Sequence, residues 1–317
     1  MIEFCLTLLI AFLTGFPPGS FSEKKQGTDQ NFSFTYKGVM RNTLIHLPPG
    51  SEAREKYPLV IALHGGGGNG KRMVSLTLGK FNALADREGF IVVYPDGIGK
   101  NWNDGRENMP RRYQSHNNKT DDVGFISALI DSLVRKYNAD QNRVYVTGMS
   151  NGAMMTYRLA AELGEKIAAA APVCGNIPAD LPSKPEHPVA MLIINGTDDP
   201  LVPFEGGDVH FGRRKFGKIL STSKSVEIWT RINQVHLSEE KLLPDKDPKD
   251  GCRVKEKKFT ISDNSAEVVV LTIQGGGHTW PGGKQYLTER IIGRTCRDID
   301  ACEYIWSFFK RIKSTMR

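Results

Sequence analysis

The stretch VYVTGMSNGAMMTYRLAAEL, residues 144–163, changes character half-way along. Val144-Tyr145-Val146-Thr147 is a β-branched and aromatic run, which suits a strand. From Asn151 onward Ala, Met, Arg, Leu and Glu dominate, and these favour a helix. Between them lies Gly148-Met149-Ser150-Asn151-Gly152, a serine with glycine two positions to either side. A strand, a sharp turn and a helix with serine at the corner form a nucleophile elbow. The hydroxyl then projects from the top of a sheet, and the glycines let neighbouring backbone pass close by. A tight turn with serine as helix N-cap uses the same residue types. The rest of the chain has to separate the two readings.

To either side, apolar strand-like runs alternate with helical ones. MRNTLIHLPPG (40–50) reads as a strand ending in a turn, and YPLVIALHGGGG (57–68) as a strand buried on both faces. LGKFNALADREGF (78–90) has helical spacing up to Gly89, and FIVVYPDG (90–97) is a further strand. Residues 101–120 are polar and rich in Gly, Pro and Asn, hence a loop. DDVGFISALIDSLVRKY (121–137) reads as a helix with acidic residues in its first turn. KIAAAAPV (166–173), HPVAMLIING (187–196) and AEVVVLTI (266–273) add strands, and helices are expected near 219–233 and 301–312. This alternation predicts a doubly wound, mostly parallel α/β sheet. No linker, internal repeat or inserted block large enough for a lid domain is evident, so residues 34–317 are expected to form one catalytic domain.

Before it, residues 23–33 read as a flexible polar segment and residues 1–22 as an export signal. The apolar run Phe4–Phe16 is long enough for a signal core and short for a membrane span, and Ser20-Phe21-Ser22 offers small residues for cleavage before Glu23. The leader is atypical in carrying Glu3 and no Lys or Arg ahead of that core. A secreted or periplasmic protein without a stable membrane anchor is therefore expected. Lys plus Arg number 42 against 35 Asp plus Glu, a net charge of +7. The basic residues are scattered in short clusters (Arg111-Arg112, Arg213 to Lys215, Lys255 to Lys258), which gives no nucleic-acid footprint. Downstream of the leader lie Cys174, Cys252, Cys296 and Cys302. Cys174 reads as a buried free thiol, and one bridge is expected among the other three. No spacing reads as a metal site, and no cofactor is expected.

A serine hydroxyl needs a base, an acid to orient that base, and donors for the oxyanion. In an α/β-hydrolase the acid and then the histidine follow the serine along the chain, each after a strand. MLIINGTDDPLVP (191–203) supplies Asp199, with Asp198 as the lesser alternative, although an Asx-turn would use the same residues. VVLTIQGGGHTWPGG (269–283) supplies His278 beyond three glycines. Of the other histidines, His46 and His64 precede the serine, His187 precedes the aspartates, and His116, His210 and His236 sit in loops or helix ends. LHGGGGNG (63–70) offers backbone N–H groups at Gly65 and Gly66 to converge with that of Asn151 as an oxyanion hole. The same loop lacks the Gly-Lys-Ser/Thr ending of a phosphate-binding loop. Four signals in the required order favour nucleophilic catalysis by Ser150.

Together with VYPDGIGKNWNDGR (93–106), INGTDDPLVPFEGG (194–207) and IDACEYIWSFF (299–309), these motifs make the chain resemble the secreted esterases grouped with poly(3-hydroxybutyrate) depolymerases and bacterial feruloyl and acetylxylan esterases. The resemblance runs from about Phe34 to Phe309. It implies an α/β-hydrolase fold and a triad at Ser150, Asp199 and His278. It also implies that Trp102 and Trp280 pack against substrate, although both read equally well as core residues. Trp102-Asn103-Asp104-Gly105-Arg106 and Asp121-Asp122 read as structural anchors. The cysteines at 252, 296 and 302 depart from the family pattern. The expected activity is a serine carboxylesterase working through an acyl-enzyme on feruloyl or acetyl esters of plant cell-wall polysaccharide. Short poly(3-hydroxybutyrate) esters are the second choice. A non-catalytic carbohydrate-binding protein on a hydrolase scaffold and a serine peptidase are the readings from other classes.

Overall fold

The computed structural model of the chain describes residues 26–50, 56–111, 113–181, 185–261 and 266–314. The expected leader, residues 1–22, lies outside these. The centre of the fold is a ten-stranded sheet. Six parallel strands form its middle: β4 (Ile91–Pro95), β3 (Tyr57–Leu63), β5 (Ala139–Met149), β6 (Ala169–Val173), β7 (Ala190–Gly196) and β12 (Val268–Gln274), in that spatial order. Antiparallel strands flank them. β1 (Thr28–Tyr36) and β2 (Val39–Leu47) add to the β4 edge, and β11 (Arg253–Thr260) and β10 (His236–Leu242) to the β12 edge. A separate hairpin pairs β8 (Gly207–Phe211) with β9 (Arg214–Ile219).

Successive residues of the central strands feed opposite cores, as a sheet covered on both faces requires. Val60, Ala62, Val92 and Leu192 pack with Met73 of α1 (Gly70–Leu76), Phe81 and Leu84 of α2 (Lys80–Glu88), and Ile305 and Phe309 of α8 (Ala301–Phe309). Leu59, Ile61, Val93 and Ile193 pack with Phe125 and Leu129 of α4 (Asp122–Tyr137), Leu159 of α5 (Asn151–Glu162) and Trp229 of α6 (Thr222–Ile232). Two one-turn helices, α3 (Gln114–Asn117) and α7 (Glu289–Ile292), lie in loops. Asp121 caps α4 by accepting from the Gly124 N–H at 2.8 Å. Arg41 and Asp122, both buried, pair at 2.7 Å and tie β2 to that helix start.

Two expectations change. Residues 28–33 are strand rather than a flexible segment, because Phe32, Phe34 and Tyr36 alternate on the inward face of β1 and Phe34 meets Phe125 at 5.6 Å between ring centroids. The cysteines at 174, 252, 296 and 302 are all buried free thiols rather than including a bridge. Cys252 and Cys296 do adjoin, with sulfurs within 4.8 Å and Asp250 beside them. Asp250 is already occupied, its carboxylate accepting from the Cys252 and Arg297 N–H groups.

Candidate active site

β5 ends at Met149 and α5 begins at Asn151, so one residue turns the corner. Ser150 has φ 58° and ψ −120°, a strained conformation for a non-glycine residue. Its neighbours show why both flanking glycines are needed. A Cβ on Gly148 would meet the Gly152 carbonyl oxygen at 2.5 Å, and one on Gly152 would meet the Leu63 carbonyl oxygen at 2.5 Å. The elbow is thus pressed against the end of β3 and the glycine loop that follows. The Ser150 N–H donates to Val173 O at 3.0 Å, which anchors the corner to β6.

Asp199 follows β7 and is buried. Its Oδ1 accepts from the Leu201 and Val202 N–H groups, both at 2.8 Å, and its Oδ2 faces His278 Nδ1 at 2.6 Å. Of the two candidate acids, then, Asp199 meets the histidine. Asp198 is exposed and accepts from its neighbour Thr197 Oγ1. The backbone of the histidine loop is fixed from several sides. The His278 N–H donates to Ile292 O, the Tyr286 hydroxyl donates to His278 O at 3.1 Å, and Thr279 Oγ1 donates to Arg294 O. Cys174 lies against this loop and donates to Thr279 O at 3.1 Å, and burial pushes its thiol well above the usual range.

Ser150, Asn151, His278 and the loop 64–68 line one cavity of about 1000 Å³. In that loop Gly67 N–H donates to Lys100 O and Gly68 N–H to Gly65 O, while Gly65 lies beside Met149 and Ser150. His64 is buried behind the loop. Its Nε2 accepts from the Gly97 N–H at 3.0 Å, so the ring proton sits on Nδ1, which donates to Gly65 O at 2.8 Å. Burial lowers its pKa, and the ring is a neutral brace.

The Asn151 side chain points away from the cavity. Its Oδ1 accepts from the Trp102 N–H, and its Nδ2 donates to Trp102 O and to Asp104 Oδ2 at 2.6 Å. Asp104 is fully buried and holds Arg106 through two nitrogens and His116 through Nε2. Desolvation opposes its charge, but Arg106 and His116 outweigh it and keep the carboxyl below the usual range. Arg106 Nη1 in turn donates to Phe216 O at 2.6 Å and so ties this network to the β8–β9 hairpin.

Two expected substrate contacts are corrected. Trp102 and Trp280 are fully buried, and neither lines the cavity. Trp102 lies under the elbow, its Nε1 donating to His64 O at 2.9 Å, and Trp280 packs edge-on against Phe81. The aromatic groups that do face the cavity are Tyr113, Phe211, Phe216 and Tyr286. Their signal in the sequence was weak, because three come from segments read as loop or as surface charge.

The chain is similar to known proteins over most of its length. Residues 42–181 match the family model described as Esterase PHB depolymerase. The putative esterase NocK of Nocardia uniformis subsp. tsuyamanensis is 31% identical over 275 residues, 84% of this chain and 78% of that protein. The chain belongs to the esterase PHB depolymerase family. It is also 34% identical over 161 residues to the bifunctional acetylxylan esterase/xylanase XynS20E of Neocallimastix patriciarum, 51% of this chain and 22% of that protein. With feruloyl esterase B of Piromyces equi the identity is 27% over 261 residues, 77% of this chain and 44% of that protein. The acetyl xylan esterase structure from Aspergillus awamori superposes with a TM-score of 0.56 at 17% identity, covering 89% of this chain and 99% of that one. The fold is that of an α/β-hydrolase, and this family member is a carboxylic ester hydrolase of the serine type. No helix among the described residues is long and apolar enough to cross a membrane.

Proposed function

We propose that Ser150 attacks the ester carbonyl and forms an acyl-enzyme, with His278 as its base. Asp199 would fix the His278 tautomer and stabilise the imidazolium, and the backbone N–H groups of Asn151 with Gly65 and Gly66 would receive the oxyanion. His278 then gives its proton to the departing alcohol and activates water for deacylation. The observation that carries this reading is the buried His278–Asp199 pair at 2.6 Å, with His278 opening onto the cavity where strained Ser150 sits.

The substrate class we infer is a feruloyl or acetyl ester of plant cell-wall polysaccharide. Relatives bearing those activities in their names support it, as does the apolar wall of Leu201, Val209 and Phe216, which suits a flat aromatic acyl group. Short 3-hydroxybutyrate esters are the second reading, favoured by the family description. Export with removal of residues 1–22 completes the proposal, resting on the apolar run before Pro17. Initial rates on methyl ferulate and on p-nitrophenyl acetate test it. Ser150→Ala should lower kcat by at least about 10⁴-fold on both. Retained activity removes Ser150 from the mechanism. Hydrolysis of the acetate alone removes the feruloyl substrate and keeps the triad.

A further inference from the structure

The cavity lining is mixed. Its apolar part comes from Leu201 and Val202, which follow Asp199, and from Val209, Phe211 and Phe216 of the β8–β9 hairpin. The lining also carries Arg72, Lys100 and Lys284. Backbone contacts bring these three together. Arg72 Nη1 donates to Gly67 O at 2.8 Å, Gly67 N–H donates to Lys100 O at 2.8 Å, and Lys284 N–H donates to Leu76 O, one turn along α1 from Arg72.

Exposed cations are ordinary on a protein surface, and many of those on this one reach a carboxylate. Lys37, Lys80, Lys166 and Lys215 each reach an aspartate, and Lys255, Lys257 and Lys258 meet Glu239 or Glu240 on the neighbouring strand. Among the described residues Arg72, Lys100 and Lys284 have no ion-pair partner, and no Asp or Glu lines the cavity. Asp96, near the start of α1, is engaged by the Gly70 N–H at 2.7 Å. Arg106, the other cation of the lining, is already neutralised by Asp104. The cavity wall therefore holds three positive charges without a carboxylate partner. A concave site of one sign attracts a ligand of the other and raises its local concentration.

The position of Lys284 is also informative. His278 delivers the proton to the departing alcohol, so that alcohol leaves on the histidine's side of Ser150. Lys284 belongs to the same loop as His278, and Tyr286, two residues on, is bonded to the His278 carbonyl. We propose that Arg72, Lys100 and Lys284 form a subsite for a carboxylate on the alcohol part of the ester, while the hairpin side receives the acyl group. Two sources share that chemistry: a uronic acid residue of a polysaccharide, and the free carboxyl end of a hydroxyacid oligoester. This assignment rests on Ser150 and His278 acting as proposed above.

The test uses two matched pairs of substrates with the purified enzyme. One pair is acetylated glucuronoxylan oligosaccharide and the same material with its uronic carboxyls reduced to alcohols. The other is a 3-hydroxybutyrate trimer and its methyl ester. In at least one pair, kcat/KM at low salt should favour the charged member roughly tenfold, chiefly through KM, and about 0.3 M salt should reduce that preference to within roughly twofold. Lys284→Ala and Arg72→Ala should each lower the charged-to-neutral ratio, and Lys284→Arg should restore it. The pair that responds identifies the source. Equal rates within both pairs, or a preference that survives both alanine variants, overturn the subsite while leaving the esterase intact. Failure to hydrolyse any of the four, or p-nitrophenyl acetate, would instead remove the catalytic reading on which the subsite rests.

Discussion

Asp198 and Asp199 are neighbours in the chain with opposite surroundings, and single substitutions should separate them. Asp199 is buried, accepts from two backbone N–H groups and touches His278 Nδ1, whereas Asp198 is exposed. Asp199→Asn presents an amide that favours the wrong imidazole tautomer, and kcat on a short p-nitrophenyl ester should fall by about 10³- to 10⁴-fold. Asp198→Asn should stay within roughly twofold of the parent. His64 gives a prediction about pH. Burial lowers its pKa in the folded state, so between that value and about 6.5 the unfolded chain binds a proton that the folded chain does not. Its contribution to stability is therefore complete above about pH 6.5 and declines as pH falls below it. Thermal melts at pH 7 and pH 5 should show a smaller drop in Tm for His64→Gln than for the parent, although the variant starts lower because it loses bonds to Gly97 and Gly65. An equal drop in both proteins would show that His64 does not titrate in this way.

At the scale of elements, the site depends on how loops are joined to strands. Asp104 connects Asn151 at the elbow to Arg106, His116 and, through Arg106, the β8–β9 hairpin. Asp104→Ala leaves a buried guanidinium uncompensated, which costs about 3–5 kcal/mol. The urea midpoint should fall accordingly, and kcat should fall with it because the elbow loses a brace. Gly152→Ala tests the close approach of α5 to β3, where a Cβ would sit 2.5 Å from Leu63 O. Its loss of stability should be about 1–3 kcal/mol, with a disproportionate loss of kcat as Ser150 shifts. The sequence made Asp104 legible as an anchor but concealed the hairpin it holds. GDVHF and RKFGKI read as loop and basic cluster because Arg213, Arg214 and Lys215 mask the apolar faces of Phe211 and Phe216. The turn at Gly212, with φ 60°, was the available signal for a two-residue hairpin loop. β10 and β11 were hidden for a related reason. HLSEEKL is exposed throughout, and its Glu and Lys residues find most of their partners across the pair, as Glu240 does with Lys255.

Across the whole molecule, what could be read in advance was what the backbone period and the motif order determine. Doubly buried strands such as VIAL and VVVL announced a parallel centre, and Ser150, Asp199 and His278 followed the order that such a sheet imposes. The cavity wall was not legible, because it is assembled from α1, the 98–113 loop, the hairpin and the histidine loop, which meet only in three dimensions. The tryptophans misled for the same reason: proximity in sequence to the site placed them under it, not in it. The proposed removal of residues 1–22 leads to a count that can be measured. The sequence holds five cysteines, of which Cys5 lies in the expected leader. The other four are buried thiols, and burial pushes those of Cys174 and Cys302 up, which suppresses the reactive thiolate. Native protein collected from the oxidising side of the membrane should therefore react very slowly with a disulfide reagent. Once unfolded in denaturant it should release four equivalents at once, with a mass that begins at Glu23. Five equivalents would mean that the leader is retained, so that the chain is not processed as proposed. Two would mean that a pair of the buried thiols is joined, with Cys252 and Cys296 the pair already within reach.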